Sequence, residues 1–285
     1  MSKAKARQYS LPVSTIERDY AQGWLLSGLG AIDMTFKGGT ALKKIYFGDT
    51  YRFSDDLDFT LLSGYSKEQI LDIVKTALIS VRNESGIAFE DAVEYDKSVS
   101  GYVIYTKFRI VNASGPAIKI KLDISTHETE IILGTHKKAR IIHNYSDKLL
   151  SEIKAYSIDE IMAEKVRSCF QRTRPRDIYD IFYLNEKTSM PAVEAMLEKK
   201  FAFKGTAPDL QGFIGRKTDY ERAWQNSIKH QANPVPEFDR VFNEVLSTIG
   251  KFCYVSSHTV NKSVSYTHLR AHETVLDLVC RLLLE

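Results

Sequence analysis

Cysteine is scarce. The three present, Cys169, Cys253 and Cys280, lie far apart, with no CxxC pair and no histidine pair at zinc-finger spacing. Neither a disulfide framework nor a structural zinc site is expected from them. Long apolar runs are missing as well: the longest are a few residues, far short of a membrane span, and no apolar core follows the basic, polar residues 1–9. The expectation is a soluble, cytoplasmic protein with no membrane partner. Nor is there an excess of one charge. Lys and Arg total 39 against 36 Asp and Glu, a formal +3, which permits a nucleotide or nucleic-acid partner without arguing for one. No internal repeat or low-complexity tract stands out. What is there, 44% hydrophobic and 26% charged residues over 285 positions, suits one large folded domain or two modest ones.

Apolar periodicity predicts a helix over 12–35, an extended stretch into Gly38-Gly39-Thr40, and a short helix over 41–47. A strand is expected over 57–62. Ser66, with Gln69 three residues on, forms a capping-box signature for a helix over 67–83. Two alternating runs, 102–111 and 117–125, flank turn residues Asn112 to Pro116 and predict an antiparallel hairpin. Shorter strands are expected near 130–133 and 139–142. From Ser157 the pattern turns helical: 158–171, 176–184, 191–201, 219–230 and 236–252. The expected organisation is a mixed α/β lobe over 1–150, a helical lobe over 151–262, and a tail over 263–285 that reads as translated cloning or adapter sequence rather than native chain.

Chemistry concentrates in Arg52-Phe53-Ser54-Asp55-Asp56-Leu57-Asp58. On a strand, Asp56 and Asp58 project to one face. Two adjacent carboxylates repel unless a cation lies between them, and Mg²⁺ or Mn²⁺ bridges such oxygens to substrate phosphates. A lone Asp-x-Asp triplet is more often a loop pair or a helix cap. The upstream Gly38-Gly39-Thr40 turn permits close backbone approach to phosphate, or is simply a turn before a helix. Arg52 and Ser54 are placed to touch phosphate or orient the carboxylates, with a structural salt bridge the alternative for Arg52. Asp123 interrupts the alternating run Ile118 to Ile124 and is the candidate third metal ligand. A Lys/Asp pair on a solvated strand face is its other reading.

Phe36-Lys37-Gly38-Gly39-Thr40-Ala41-Leu42 followed by Arg52-Phe53-Ser54-Asp55-Asp56-Leu57-Asp58-Phe59 resembles the opening signature of the AbiEii/AbiGii-type (MenT-like) nucleotidyltransferase toxins, within the DNA polymerase beta-like superfamily. Glu164-Lys165-Val166-Arg167 and Arg174-Pro175-Arg176-Asp177-Ile178-Tyr179-Asp180 resemble that family's helical motif. The match in order and spacing covers about residues 34–185. The resemblance implies a nucleotidyltransferase-like α/β (α+β) fold: a mixed-sheet N-terminal lobe and a helical C-terminal lobe. It implies Gly38, Gly39 and Thr40 on nucleotide phosphates, Asp56 and Asp58 on metal, Lys165 neutralising the triphosphate, and Asp177 as a second essential acid. Asp123 is a departure, since the family's strand does not always carry an aspartate there. The implied substrate is an NTP and the implied acceptor is RNA, plausibly the 3′ end of tRNA. The implied setting is a toxin–antitoxin or phage-defence pair with a cognate antitoxin. Lys137, Lys138, Lys199, Lys200 and Lys204 are candidates for an RNA surface, or are simply solvated. A small-molecule (antibiotic-type) or protein nucleotidyltransferase and a non-catalytic nucleotide-sensing module stay open as rivals.

Overall fold

The computed structural model describes residues 2–260, so the expectation for the tail at 263–285 lies outside the described residues. The fold is mixed α/β, as expected. The chain divides into two compact units, Met1–Ile161 with Ile228–Val235, and Met162–Ser227 with Pro236 onward. Among the described residues, no helix is long and apolar enough to cross a membrane.

In the first unit, α1 (Ser2–Tyr9) and α2 (Val13–Gly28) precede β1 (Met34–Lys37). The predicted helix over 12–35 therefore ends early. Gly28 closes it, a 3₁₀ turn covers Leu29–Ala31, and the fully buried run Met34–Lys37 pairs as a strand. Glycines at 28 and 30 weaken helical propagation, and Gly28 also lets the later helix that carries Val81 pack closely, since a β-carbon there would meet Val81 Cγ2 at 2.8 Å. After α3 (Gly38–Ala41) and a π-turn over Leu42–Phe47 comes β2 (Asp56–Leu61).

The helix α4 (Lys67–Ser85) carries the predicted capping box. Ser66 Oγ accepts the Gln69 N–H at 3.2 Å and Gln69 Oε1 accepts the Ser66 N–H at 2.8 Å. Gly86, at φ +71°, supplies the left-handed stop. The remaining strands are β3 (Ala88–Phe89), β4 (Glu94–Ser98), β5 (Gly101–Arg109) and β6 (Ile118–Ser125), followed by the two-stranded pair β7 (Lys138–Arg140) and β8 (Glu152–Lys154).

The six-stranded sheet runs β1-β2-β6-β5-β3, with β4 also on β5. The predicted hairpin is β5/β6, antiparallel from Gly101↔Ser125 to Phe108↔Ile118. Its alternation works as strand geometry requires: Ile120, Leu122 and Ile124 are fully buried while Lys119, Lys121 and Asp123 take the opposite face. The decisive pairing for the site is parallel, β2 with β6, which puts Asp56 level with Lys121 and Asp58 level with Asp123.

The strand expected near 130–133 does not form. That segment is irregular because its polar groups are claimed by side chains. Glu130 is buried against Lys37 Nζ at 3.3 Å, while the N–H groups of Leu133 and Gly134 donate to the Glu160 carboxylate at 2.8 and 2.7 Å. Glu160 follows Ser157 at capping-box spacing. Its own N–H does donate to Ser157 Oγ at 3.2 Å, but its buried carboxylate organises this segment.

In the second unit, α5 (Ile158–Gln171) continues into α6 (Pro175–Leu184), α7 (Met190–Lys204), α8 (Leu210–Gly215), α9 (Lys217–Ile228) and α10 (Phe238–Val260). Pro175 opens α6 at a position where a missing N–H costs nothing. The core is aromatic: Phe213 stacks on Phe242 with centroids 5.2 Å apart, and the buried Trp224 donates its indole N–H to the Pro236 carbonyl at 2.9 Å.

Candidate active site

The Gly38-Gly39 pair is dictated by what lies against it. Gly38 adopts φ +79°, which L side chains rarely adopt, and a β-carbon there would overlap Asp58 Oδ2. At Gly39 a β-carbon would sit 2.5 Å from Arg52 Nη2 and 3.4 Å from Ser54 Oγ. The turn is therefore packed directly on the Asp58 carboxylate and the Arg52 guanidinium, so the two sequence motifs form one structural object. Thr40 fastens it. Its buried hydroxyl donates to the Asp56 carbonyl, so it ties the turn to β2.

Behind this object is a support absent from the sequence-based site. Arg52 is buried, and its Nη1 donates to the Phe53 carbonyl at 3.1 Å and to Gln231 Oε1 at 2.8 Å. Gln231, fully buried, also donates through Nε2 to Asp55 Oδ2 at 2.5 Å, and its carbonyl accepts the Phe53 N–H at 2.7 Å. Arg18 completes the grip on Asp55, while Gln22 Nε2 donates to the carbonyls of Ser54 and Asp55 at 3.1 and 3.0 Å. Asp55, which adjoins Asp56 in the chain, is held by these partners. No local pattern marks Gln231, because it lies 179 residues from Arg52.

On the sheet face, Asp56 and Asp58 alternate along β2, with Lys121 and Asp123 level beside them on β6. All four are partly exposed. Lys121 Nζ bonds Asp123 Oδ2 at 2.7 Å. Partial burial works against the Lys121 ammonium, but the Asp123 hydrogen bond and the charges of Asp123, Asp56 and Asp58 outweigh it and raise its pKa. Lys37, level with Asp58 on β1, directs its ammonium to Ser125 Oγ at 3.4 Å and Glu130 Oε2 at 3.3 Å. The donor set, carboxylate oxygens on one open sheet face, fits a hard divalent cation. Among the described residues, no group of three or more His, Cys, Asp or Glu side chains is gathered for a metal ion. A Mg²⁺-type site needs only one or two carboxylates, its shell being completed by water and substrate phosphate.

The second unit holds a separate charged cluster. Lys165 Nζ pairs with Asp177 Oδ1 at 2.8 Å and Asp180 Oδ2 at 2.9 Å, and Arg172 Nε reaches Asp177 Oδ2 at 2.9 Å. Both aspartates are buried. Burial alone would raise the Asp177 pKa. The charges and hydrogen bonds of Lys165 and Arg172 prevail and hold it well below the usual carboxylate range. Lys165 on α5 and Arg172 just beyond its end converge on this carboxylate, and Ser168 and Cys169 between them are buried. Lys200, an RNA-surface candidate, is withdrawn: it is 1% exposed and bonds Glu164 at 2.8 Å.

Residues 24–246 match the family described as "Nucleotidyl transferase AbiEii toxin, Type IV TA system". The chain belongs to the AbiEii nucleotidyltransferase toxin family. It is accordingly a nucleotidyltransferase and a toxin of the type IV toxin–antitoxin class. No curated protein sequence matches. Among solved structures it is similar to the MenT4 nucleotidyltransferase toxin of Mycobacterium tuberculosis H37Rv, at 19% identity and TM-score 0.58, covering 87% of this chain and 89% of that one. It is also similar to JHP933 of Helicobacter pylori, at 19% identity and TM-score 0.56, covering 88% and 98%. At this identity the likeness shows the shared fold.

Proposed function

We propose that this AbiEii-family enzyme transfers a nucleoside monophosphate from an NTP to an RNA acceptor, the 3′ end of tRNA, with Mg²⁺ or Mn²⁺ held by Asp56 and Asp58. The observation that carries this reading is the packing of the Gly38-Gly39 turn on the Asp58 carboxylate, which puts a phosphate-accommodating backbone beside a pair of metal-type ligands. A bound divalent cation would supply charge neutralisation at the α-phosphate and the leaving pyrophosphate. The chain's own groups do the rest. Amides of Gly38, Gly39 and Thr40 bind phosphate oxygens, and Arg52 and Ser54 border the same turn. Lys165 neutralises triphosphate charge. Asp177 is the second essential acid, and it holds Lys165 and Arg172 in place. Asp123 belongs to the set either as a metal ligand or through its pair with Lys121. A cognate antitoxin and a role in phage defence complete the proposal.

The test incubates the full chain with Mg²⁺, total tRNA and each α-³²P-labelled NTP in turn, beside Asp56→Ala/Asp58→Ala. Label in tRNA with one NTP, lost in the variant and in EDTA, is the expected result. Label on protein or a small molecule would replace the acceptor and leave the chemistry. Folded protein that binds NTP but transfers nothing would refute the transferase assignment of this site.

A further inference from the structure

The β2/β6 face is a block of four charged side chains in register: Asp56 and Asp58 on one strand, Lys121 and Asp123 on the next. Three corners are carboxylates and the fourth is an ammonium. Strand geometry sends all four side chains to the same face, with level neighbours about 5 Å apart at the backbone. An ammonium in that position offsets carboxylate repulsion, which is also the electrostatic task of a divalent cation.

The contacts give this block a direction. Lys121 Nζ is committed to Asp123 Oδ2 at 2.7 Å, so the carboxylate that would be the third metal ligand is already neutralised. Its side chain is 31% exposed, leaving it room to swing into solvent on its four-carbon stem. We propose that Lys121 is a resident countercation of the carboxylate face, which lowers divalent-cation affinity in the nucleotide-free enzyme and yields its place when the metal arrives with the nucleotide. The inference rests on Asp56 and Asp58 being metal ligands. It concerns Lys121, which the transfer chemistry above names only as the partner of Asp123.

The arrangement has a clear consequence. A positive charge beside the site opposes a second cation, so its removal strengthens metal binding, whereas loss of a structural strand residue weakens or leaves unchanged an intact site. The magnitude is discounted because the group is partly exposed and screened.

The experiment is a Mn²⁺ titration of the full chain without nucleotide, read by the loss of free-Mn²⁺ electron paramagnetic resonance signal. Wild type is compared with Lys121→Met, Lys121→Gln and Lys121→Arg, each checked for folding by circular dichroism. The expected result is roughly tenfold tighter Mn²⁺ binding in the Met and Gln variants and wild-type affinity within about twofold in Arg, which keeps the charge. Unchanged or weaker binding in whichever neutral variant folds overturns the inference, as does tighter binding in the Arg variant. Failure of both neutral variants to fold while Arg folds also overturns it, because Lys121 would then be a structural requirement. Asp56→Asn/Asp58→Asn separates the two levels. If it leaves wild-type Mn²⁺ binding intact, or if no form binds Mn²⁺, the metal assignment itself fails. If it abolishes binding and the neutral Lys121 variants match wild type, only the countercation role fails.

Discussion

Gln231→Ala is the sharpest perturbation of the candidate site's support. The substitution removes two side-chain hydrogen bonds and spares the third, made by the Gln231 carbonyl to the Phe53 N–H. Both lost bonds are to charged groups, a class that contributes about 1.5–3 kcal/mol each when buried. The Arg52 end counts for about 2 kcal/mol, because Arg52 is only 3% exposed. The Asp55 end is discounted to about 1 kcal/mol, since that carboxyl is 30% exposed and keeps Arg18. The sum is about 3 kcal/mol, which for a domain of this size lowers the melting temperature by roughly 6–12 °C. Differential scanning calorimetry of Gln231→Ala beside Gln231→Met, which conserves volume without polar atoms, measures it. If both variants melt within about 2 °C of wild type, Gln231 is not the clamp described here. A second readout belongs to function: with Arg52 loosened beside Gly39, the KM for NTP rises more than kcat falls.

Three further outcomes are expected. Gly38→Ala combines a left-handed backbone with overlap at Asp58 Oδ2. It lowers nucleotide transfer at least about tenfold, whereas Gly39→Ala, which displaces the tip of Arg52, acts mainly on NTP affinity; steady-state kinetics on both separates them. Asp177 is held below its ordinary carboxyl range by Lys165 and Arg172 against the opposing effect of burial. The stability it confers is therefore present above the unfolded value near pH 4 and is lost as pH falls further. Urea midpoints from pH 7 down to pH 3 are steeper in wild type than in Asp177→Asn, and Asp177→Ala costs about 1–3 kcal/mol, since Lys165 keeps Asp180 and Arg172 is 42% exposed. Burial, followed by the nearby charge of Lys44, lowers the His143 pKa despite its contact with Asp147. The unfolded chain thus binds that proton first, and stability declines as pH drops below about 6.5; His143→Gln removes this slope in the same titration.

Local chemistry made much of this protein legible in its sequence. The Ser66–Gln69 capping box, the alternation through Ile118 to Ile124 and the Pro175 helix start are interactions within a few residues, so their signatures survive in linear order. The same holds for Asp56 and Asp58, whose common face follows from strand periodicity alone. What escaped depends on distance or competition. The failed strand near 130–133 was decided by partners elsewhere, Lys37 and Glu160, whereas the early end of α2 was readable in Gly28 and Gly30. Propensity carries no information about such partners. Gln231 escaped because nothing about a glutamine in a short loop announces that it will span Arg52 and Asp55. Lys200 was misjudged for the opposite reason, since exposure is the default for lysine and only the contact with Glu164 reverses it.

The two charged clusters differ in burial, and that difference bears on where a metal belongs. In the second unit Lys165 and Arg172 face the buried Asp177 and Asp180, so a cation placed there would have to displace one already paired. On the β2/β6 face Asp56, Asp58, Lys121 and Asp123 are all partly exposed, which leaves the carboxylates accessible to water and to an incoming cation. A divalent cation is thus better accommodated on the β2/β6 face. If Mn²⁺ protected Asp177 and Asp180 rather than Asp56 and Asp58 from carbodiimide labelling, this charge argument and the metal assignment built on it would both fall.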